Sequence, residues 1–175
     1  MKRRGKKGQV WIETVLYTLI AFVMIGLVLA YAKPRIEEAQ DKAIVEQSVE
    51  ILENINNILT NIERVPGNKR IIELMIKKGT LRINGNTDSI VFEIESRYPY
   101  TEAGEDINIG NIIANTRAVG SKYDITLTLD YSATYDLTYR GVDQEKIINR
   151  ASTAYSLVVS NEGASGTKIK MDFDV

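Results

Sequence analysis

The sequence predicts an α+β chain, in which a long N-terminal helix precedes an antiparallel β-sandwich-like head. Three observations predict it. From Val15 to Ala32 the run VLYTLIAFVMIGLVLAYA carries no charged residue. The next segment, IEEAQDKAIVEQSVEILENINNILTNIERV, keeps apolar residues at helical spacing with polar residues between them. After Pro66-Gly67-Asn68 the pattern changes to short runs rich in Ile, Val, Thr and Tyr, several of alternating polarity.

The apolar run comes first. Its roughly 18 residues rise about 27 Å as a helix, close to the ~30 Å hydrocarbon thickness of a bilayer. Trp11 and Tyr31 lie near its two ends, where amphipathic aromatics favour membrane–water interfaces. Lys33, Pro34 and Arg35 close it. Five basic residues precede it: Lys2, Arg3, Arg4, Lys6 and Lys7. Such a cluster keeps an N-terminus cytoplasmic and places the residues after the span outside. A secretory signal peptide is the competing reading. It has a shorter apolar region and a small-residue cleavage site after it.

The second half of the helix is one-sided. Ile44, Ser48/Val49, Ile51/Leu52, Ile55, Ile58/Leu59 and Ile62 recur at a 3.6-residue period. This half of the helix is expected either to pack on the chain's own head or to act as its stalk, the first being preferred, and Val65-Pro66-Gly67 ends it. Pro34 marks either a kink between the halves or the start of the second one.

In the head, Ile125, Leu127 and Leu129 share one face between Tyr123 and Tyr131, with Thr126, Thr128 and Asp130 on the other. Ile169, Met171, Phe173 and Val175 alternate in the same way with charged residues. Asn84-Gly85-Asn86 reads as a hairpin turn between Leu81–Ile83 and Ile90–Phe92. Seven or so strands make a sandwich. Two segments are ambiguous: RIIELMIKK fits a helical turn as well as a strand, and Glu145 to Arg150 reads as a short helix. The division expected is a basic leader over 1–8, a helix over 9–65 with 15–32 as its spanning part, and a β-rich head over 66–175.

Composition excludes several function classes. The chain of 175 residues has no cysteine and no histidine, which removes disulfides, thiolate or imidazole metal sites, and Ser-His-Asp or Cys-His catalysis. Net charge is −1, and without the terminal basic cluster the body is acidic, so no nucleic-acid partner is expected. There is no P-loop, dinucleotide fingerprint or nucleophile elbow. Glu102-Ala-Gly-Glu-Asp106 lacks EF-hand spacing and reads as a solvated loop. The seven head tyrosines read as strand packing. Neither catalytic residues nor metal ligands nor a cofactor are expected, and the chain is not read as an enzyme.

One residue does not fit a plain membrane helix. Glu13 is a carboxylate at the entrance of the apolar run, where an ionised group costs a few kcal/mol unless partnered. At Gly8-Gln9-Val10-Trp11-Ile12-Glu13 the chain resembles type IV pilin-like precursors, in particular archaeal pilins with a class III signal peptide. In that pattern a short basic leader ends in Gly, and Glu stands at the fifth mature position. Gly8 matches the last leader residue, Gln9 the first mature residue and Glu13 the fifth; Trp11 departs from the Ser common at the third.

The resemblance implies a prepilin that a membrane peptidase cuts after Gly8. The new amine on Gln9 stands one helical turn from Glu13, and pairs with it or with the Glu13 of a neighbouring helix. The span serves first as a membrane hold in lipid and then as the core of a filament. There Val15, Leu16, Leu19, Ile20, Phe22, Val23, Ile25, Leu27 and Leu29 pack against other copies, and Gly26 permits close approach. Implied partners are further subunits, the prepilin peptidase, an assembly ATPase and a membrane platform protein. Adhesion is one downstream role. Two alternatives stay open: a non-polymerising single-span membrane protein with an extracellular β-domain, and a minor pseudopilin of a secretion system.

Overall fold

The computed structural model describes residues 6–175, with side chains from Val10 onward. Helix α1 runs Lys6–Ile62, with Pro34 inside it. Proline removes one intrahelical donor there and crowds the carbonyl of Ala30, and α1 continues through both penalties. The chain divides into two compact units, one ending at Ala39 and one spanning Gln40–Val175. The boundary falls in mid-helix, so the one-sided half of α1 belongs with the head.

Ten strands come after α1 among the described residues: β1 (Lys69–Leu74), β2 (Thr80–Asn84), β3 (Ser89–Ser96), β4 (Asp106–Ile109), β5 (Ile112–Val119), β6 (Lys122–Asp130), β7 (Tyr135–Tyr139), β8 (Glu145–Asn149), β9 (Tyr155–Ser165) and β10 (Lys168–Asp174). They form a four-stranded sheet in the order β1-β9-β10-β7 and a six-stranded sheet in the order β4-β5-β6-β3-β2-β8. The α+β class and the β-rich head are as the sequence predicts. The pairing is antiparallel throughout except for β10 with β7, which is parallel.

One core joins the three layers. Val45, Val49, Leu52, Ile55, Leu59 and Ile62 of α1 are buried together with the inner faces of both sheets. Their spacing of three and four residues puts them on one stripe, and each buried aliphatic side chain contributes about 1.5–3 kcal/mol. In the six-stranded sheet Ile90, Phe92 and Ile94 of β3 stand opposite Leu129, Leu127 and Ile125 of β6. All six are buried, and the residues between them face outward, as a period of two demands. Met171 and Phe173 of β10 do the same between β9 and β7. Tyr131, Tyr135 and Tyr139 are core residues, so these three tyrosines are packing.

One sequence expectation is corrected and one ambiguity is resolved. Glu145 to Arg150 is not a helix: β8 pairs with β2, setting Ile148 opposite Leu81 in the core and Ile147 opposite Arg82 on the outer face. RIIELMIKK resolves the same way, with Ile72 and Leu74 of β1 buried and Ile71 exposed. In both, six or fewer residues cannot bury a helical face, while a neighbouring strand satisfies every second side chain. The run INIGNIIA is two strands, β4 and β5, joined at Gly110-Asn111.

The sheets meet at the β2–β3 turn. The expected hairpin is present, and Gly85 in it lies against β7: a Cβ there would come within 2.6 Å of the Leu137 carbonyl oxygen. Asp88 sits in the left-handed region at φ 50°. Its Oδ1 accepts the Leu137 amide at 2.8 Å, and its Oδ2 accepts Lys168 Nζ at 2.8 Å. Asp41 of α1 ties down the start of the head. Its Oδ1 accepts Lys78 Nζ and its Oδ2 accepts the Arg97 amide at 2.7 Å.

Candidate functional site

The feature of this chain that lacks a structural explanation within the head is the N-terminal half of α1. Every residue from Val10 to Tyr31 is exposed. Phe22 and Tyr31 keep 70% and 73% of their surface, so no stripe of this segment is covered. A soluble monomer rarely exposes a contiguous apolar patch above a few hundred Å². An 18-residue window reaches a mean hydropathy of 2.4 with none of it buried. This helix is long and apolar enough to cross a membrane, near the N-terminus. Trp11 and Tyr31 stand about 30 Å apart along it at 1.5 Å per residue.

The expected packing residues lie within this segment, spread over its circumference. Trp11, Ile12, Val15, Leu16 and Leu19 line a shallow apolar depression. Ile20, Val23 and Leu27 continue one side of it at spacings of three and four, Phe22 and Leu29 continue the side of Val15 and Trp11, and Ile25 falls outside that arc; all are about half exposed or more. Among the described residues, nothing beyond the adjoining backbone of α1 comes within 4 Å of a Cβ placed on Gly26. Its own fold does not require glycine there. Glu13 is exposed on the helix, four residues after Gln9. Lys2, Arg3 and Arg4 lie outside the described residues. So do the side chains of Lys6, Lys7 and Gln9; Gly8 shares their stretch of α1.

Two residues were missed in the sequence. Thr14 Oγ1 donates to the Val10 carbonyl at 2.9 Å, and Thr18 Oγ1 donates to the Thr14 carbonyl at 2.8 Å. Each hydroxyl is satisfied four residues back on its own helix, so neither presents an unmet donor to an apolar surrounding. The signal available was the i, i+4 spacing of two threonines in an otherwise apolar run. Past the run, charges pair along the helix: Lys33 with Glu37 at 4.0 Å and Arg35 with Glu38 at 3.1 Å.

No protein-family model matches the chain. Comparison with curated proteins and with solved structures gives no match either. The class that the fold defines is therefore an α+β protein with a β-rich head and one exposed apolar helix.

Proposed function

We propose that this chain is a structural subunit of a type IV pilus-like cell-surface filament, processed after Gly8 and polymerised through its apolar N-terminal helix. One observation carries the reading: an exposed apolar surface without a charge around α1 from Val15 to Tyr31, with a carboxylate, Glu13, just before its start. Lipid covers that surface in the monomer, and the helices of other copies cover it in the filament. An all-round apolar helix is buried somewhere. In lipid alone the carboxylate is a cost; beside the amine freed on Gln9 it becomes an acceptor.

On this reading the N-terminus faces the cytoplasm before processing and the head lies outside the cell. The peptidase, the assembly ATPase and the platform protein are the partners that processing and extrusion require. The intact mass of the protein taken from its native membrane tests the proposal. A chain beginning at Gln9 supports it, and a chain beginning at Met1 removes it.

The exposed span by itself equally supports a single-span membrane protein with an extracellular β-domain. That reading predicts an uncut N-terminus and a chain that stays in the membrane fraction.

A further inference from the structure

The head carries a polar cleft between α1 and the β4–β5 hairpin. Glu53, Asn56 and Asn57 of α1 face Gly110 and Asn111 across a cleft of 360 Å³, floored by Ile112 and Leu129. The three helix residues are i, i+3 and i+4, so they share a face. The opposite wall is the β4–β5 hairpin. Its two-residue turn closes the Ile109–Ile112 pair with Gly110 at φ 60°, the type II′ arrangement with glycine first. That turn holds Asn111 at the rim. A Cβ on Gly110 would meet nothing within 4 Å, so the wall leaves space in front of it.

On the outer face of the six-stranded sheet several polar side chains satisfy one another. Arg117 pairs with Asp124 at 2.9 Å, Lys122 with Glu95 at 2.6 Å, and Asn115 donates to Asp106 at 2.7 Å. In the cleft the Glu53 carboxylate and the Asn57 and Asn111 amides make no hydrogen bond to another described side chain or backbone group. Asn56 makes one: its Oδ1 accepts from the Tyr131 hydroxyl at 2.9 Å. Tyr131 is buried, and burial pushes its phenol above the ordinary value, so it remains a donor. The amide is thereby oriented from below, and its Nδ2 is left as a donor for something outside the chain.

We propose that this cleft binds a neutral, hydroxyl-rich ligand of mono- or disaccharide size, using Glu53 and the carboxamides of Asn56, Asn57 and Asn111. A carboxylate accepts from sugar hydroxyls, and carboxamides both donate and accept, which is what neighbouring hydroxyls require. No lysine or arginine lines the cleft, so an anion finds no counter-charge. The volume stands at the low end of the roughly 300–1,000 Å³ of small-molecule sites. The proposal does not depend on how the N-terminal helix is used.

The test uses the full chain in detergent micelles. Its side-chain amide NMR signals are monitored during titration with glucose, galactose, mannose, N-acetylglucosamine and their disaccharides. The expected result is saturable movement of the Asn56, Asn57 and Asn111 signals with at least one of these sugars. Asn56→Asp keeps the acceptor for Tyr131 at the same shape and removes the donor; it should weaken binding about tenfold, the effect of one lost hydrogen bond. The double variant Asn57→Ala, Asn111→Ala should abolish binding with the melting temperature unchanged. No saturable shift with any of the sugars up to ~10 mM overturns the proposal, and so does unchanged affinity in either variant.

Discussion

Asn161 on β9 donates its Nδ2 to the carbonyl of Ile62 at 2.8 Å and to that of Glu63 at 2.9 Å. Ile62 is the last residue of α1, where helix carbonyls lose their intrahelical partners. A fully buried side chain from a strand 99 residues away therefore supplies the C-terminal cap. The backbone of Asn161 adds two further bonds, accepting from Gly67 at 2.7 Å and donating to Asn68 at 3.0 Å.

Asn161→Ala takes the side-chain donor from the Glu63 carbonyl and the acceptor from the Gly163 amide, which donates to Asn161 Oδ1 at 2.8 Å, while the Ile62 carbonyl keeps the Val65 amide at 3.2 Å. A buried unsatisfied group costs about 1–3 kcal/mol, so the variant should lose about 2 kcal/mol in denaturant unfolding with an unchanged fold. A loss below about 0.5 kcal/mol would show that water replaces the amide at no cost.

Asp41 is the second long-range tie. Its side chain is 10% exposed and Lys78 is 33% exposed. Asp41→Ala strands the lysine and the Arg97 amide together. Removing one partner of a fully buried pair costs about 3–5 kcal/mol; with Lys78 a third exposed, about 2 kcal/mol is expected. Asp41→Asn retains an acceptor for the Arg97 amide and should recover part of that loss in the same measurement.

Alkaline pH should unfold the head through two phenols. The Tyr135 phenol is pushed up to about 12, by burial first and then by its hydrogen bond to Glu63 at 2.6 Å. Tyr131 rises further, again from burial. An unfolded phenol ionises near pH 10. Above that pH the unfolded chain releases protons that the folded chain retains, so stability falls with rising pH. The contribution is complete below about pH 10; the Tyr135 share is lost through about pH 12 and the Tyr131 share at still higher pH. Unfolding midpoints measured across this range should decline, and Tyr131→Phe with Tyr135→Phe should flatten the decline. An equal slope in the double variant would assign the loss to other groups.

Glu13→Gln tests the proposed assembly role. The substitution removes a charge from the apolar segment, so membrane insertion should be retained or improved. Filament yield should fall about tenfold or more, since a hydrogen bond to a charged group contributes about 1.5–3 kcal/mol. Sheared-filament preparations compared with membrane fractions give both readouts. Normal yield with normal processing would separate docking from the Gln9–Glu13 contact.

Much of the fold was legible because its signals are local. Period two in Ile125, Leu127 and Leu129 needs only a strand with one wet face, and the stripe from Val49 to Ile62 needs only a helix with one dry face. Where a segment was too short for a period to register, as in Glu145 to Arg150, pairing with β2 decided it. The candidate site was legible for the same reason: an apolar run with one carboxylate is visible in the order of residues. Thr14 and Thr18 were not singled out, because their role is a bond to their own backbone and leaves no pattern of polarity.

By itself the sequence determined the class of each long element, the place of the apolar helix and the position of Glu13 at its entrance, since hydropathy and charge are properties of residues in order. The tertiary structure alone decided the parallel insertion of β10 beside β7, the use of Asn161 as a distant helix cap, and the gathering of Glu53, Asn56, Asn57 and Asn111 around one cleft. Each of these joins residues far apart in the chain. Their energy arises from burial and hydrogen-bond satisfaction, which exist only once the sheets and α1 have closed on a common core.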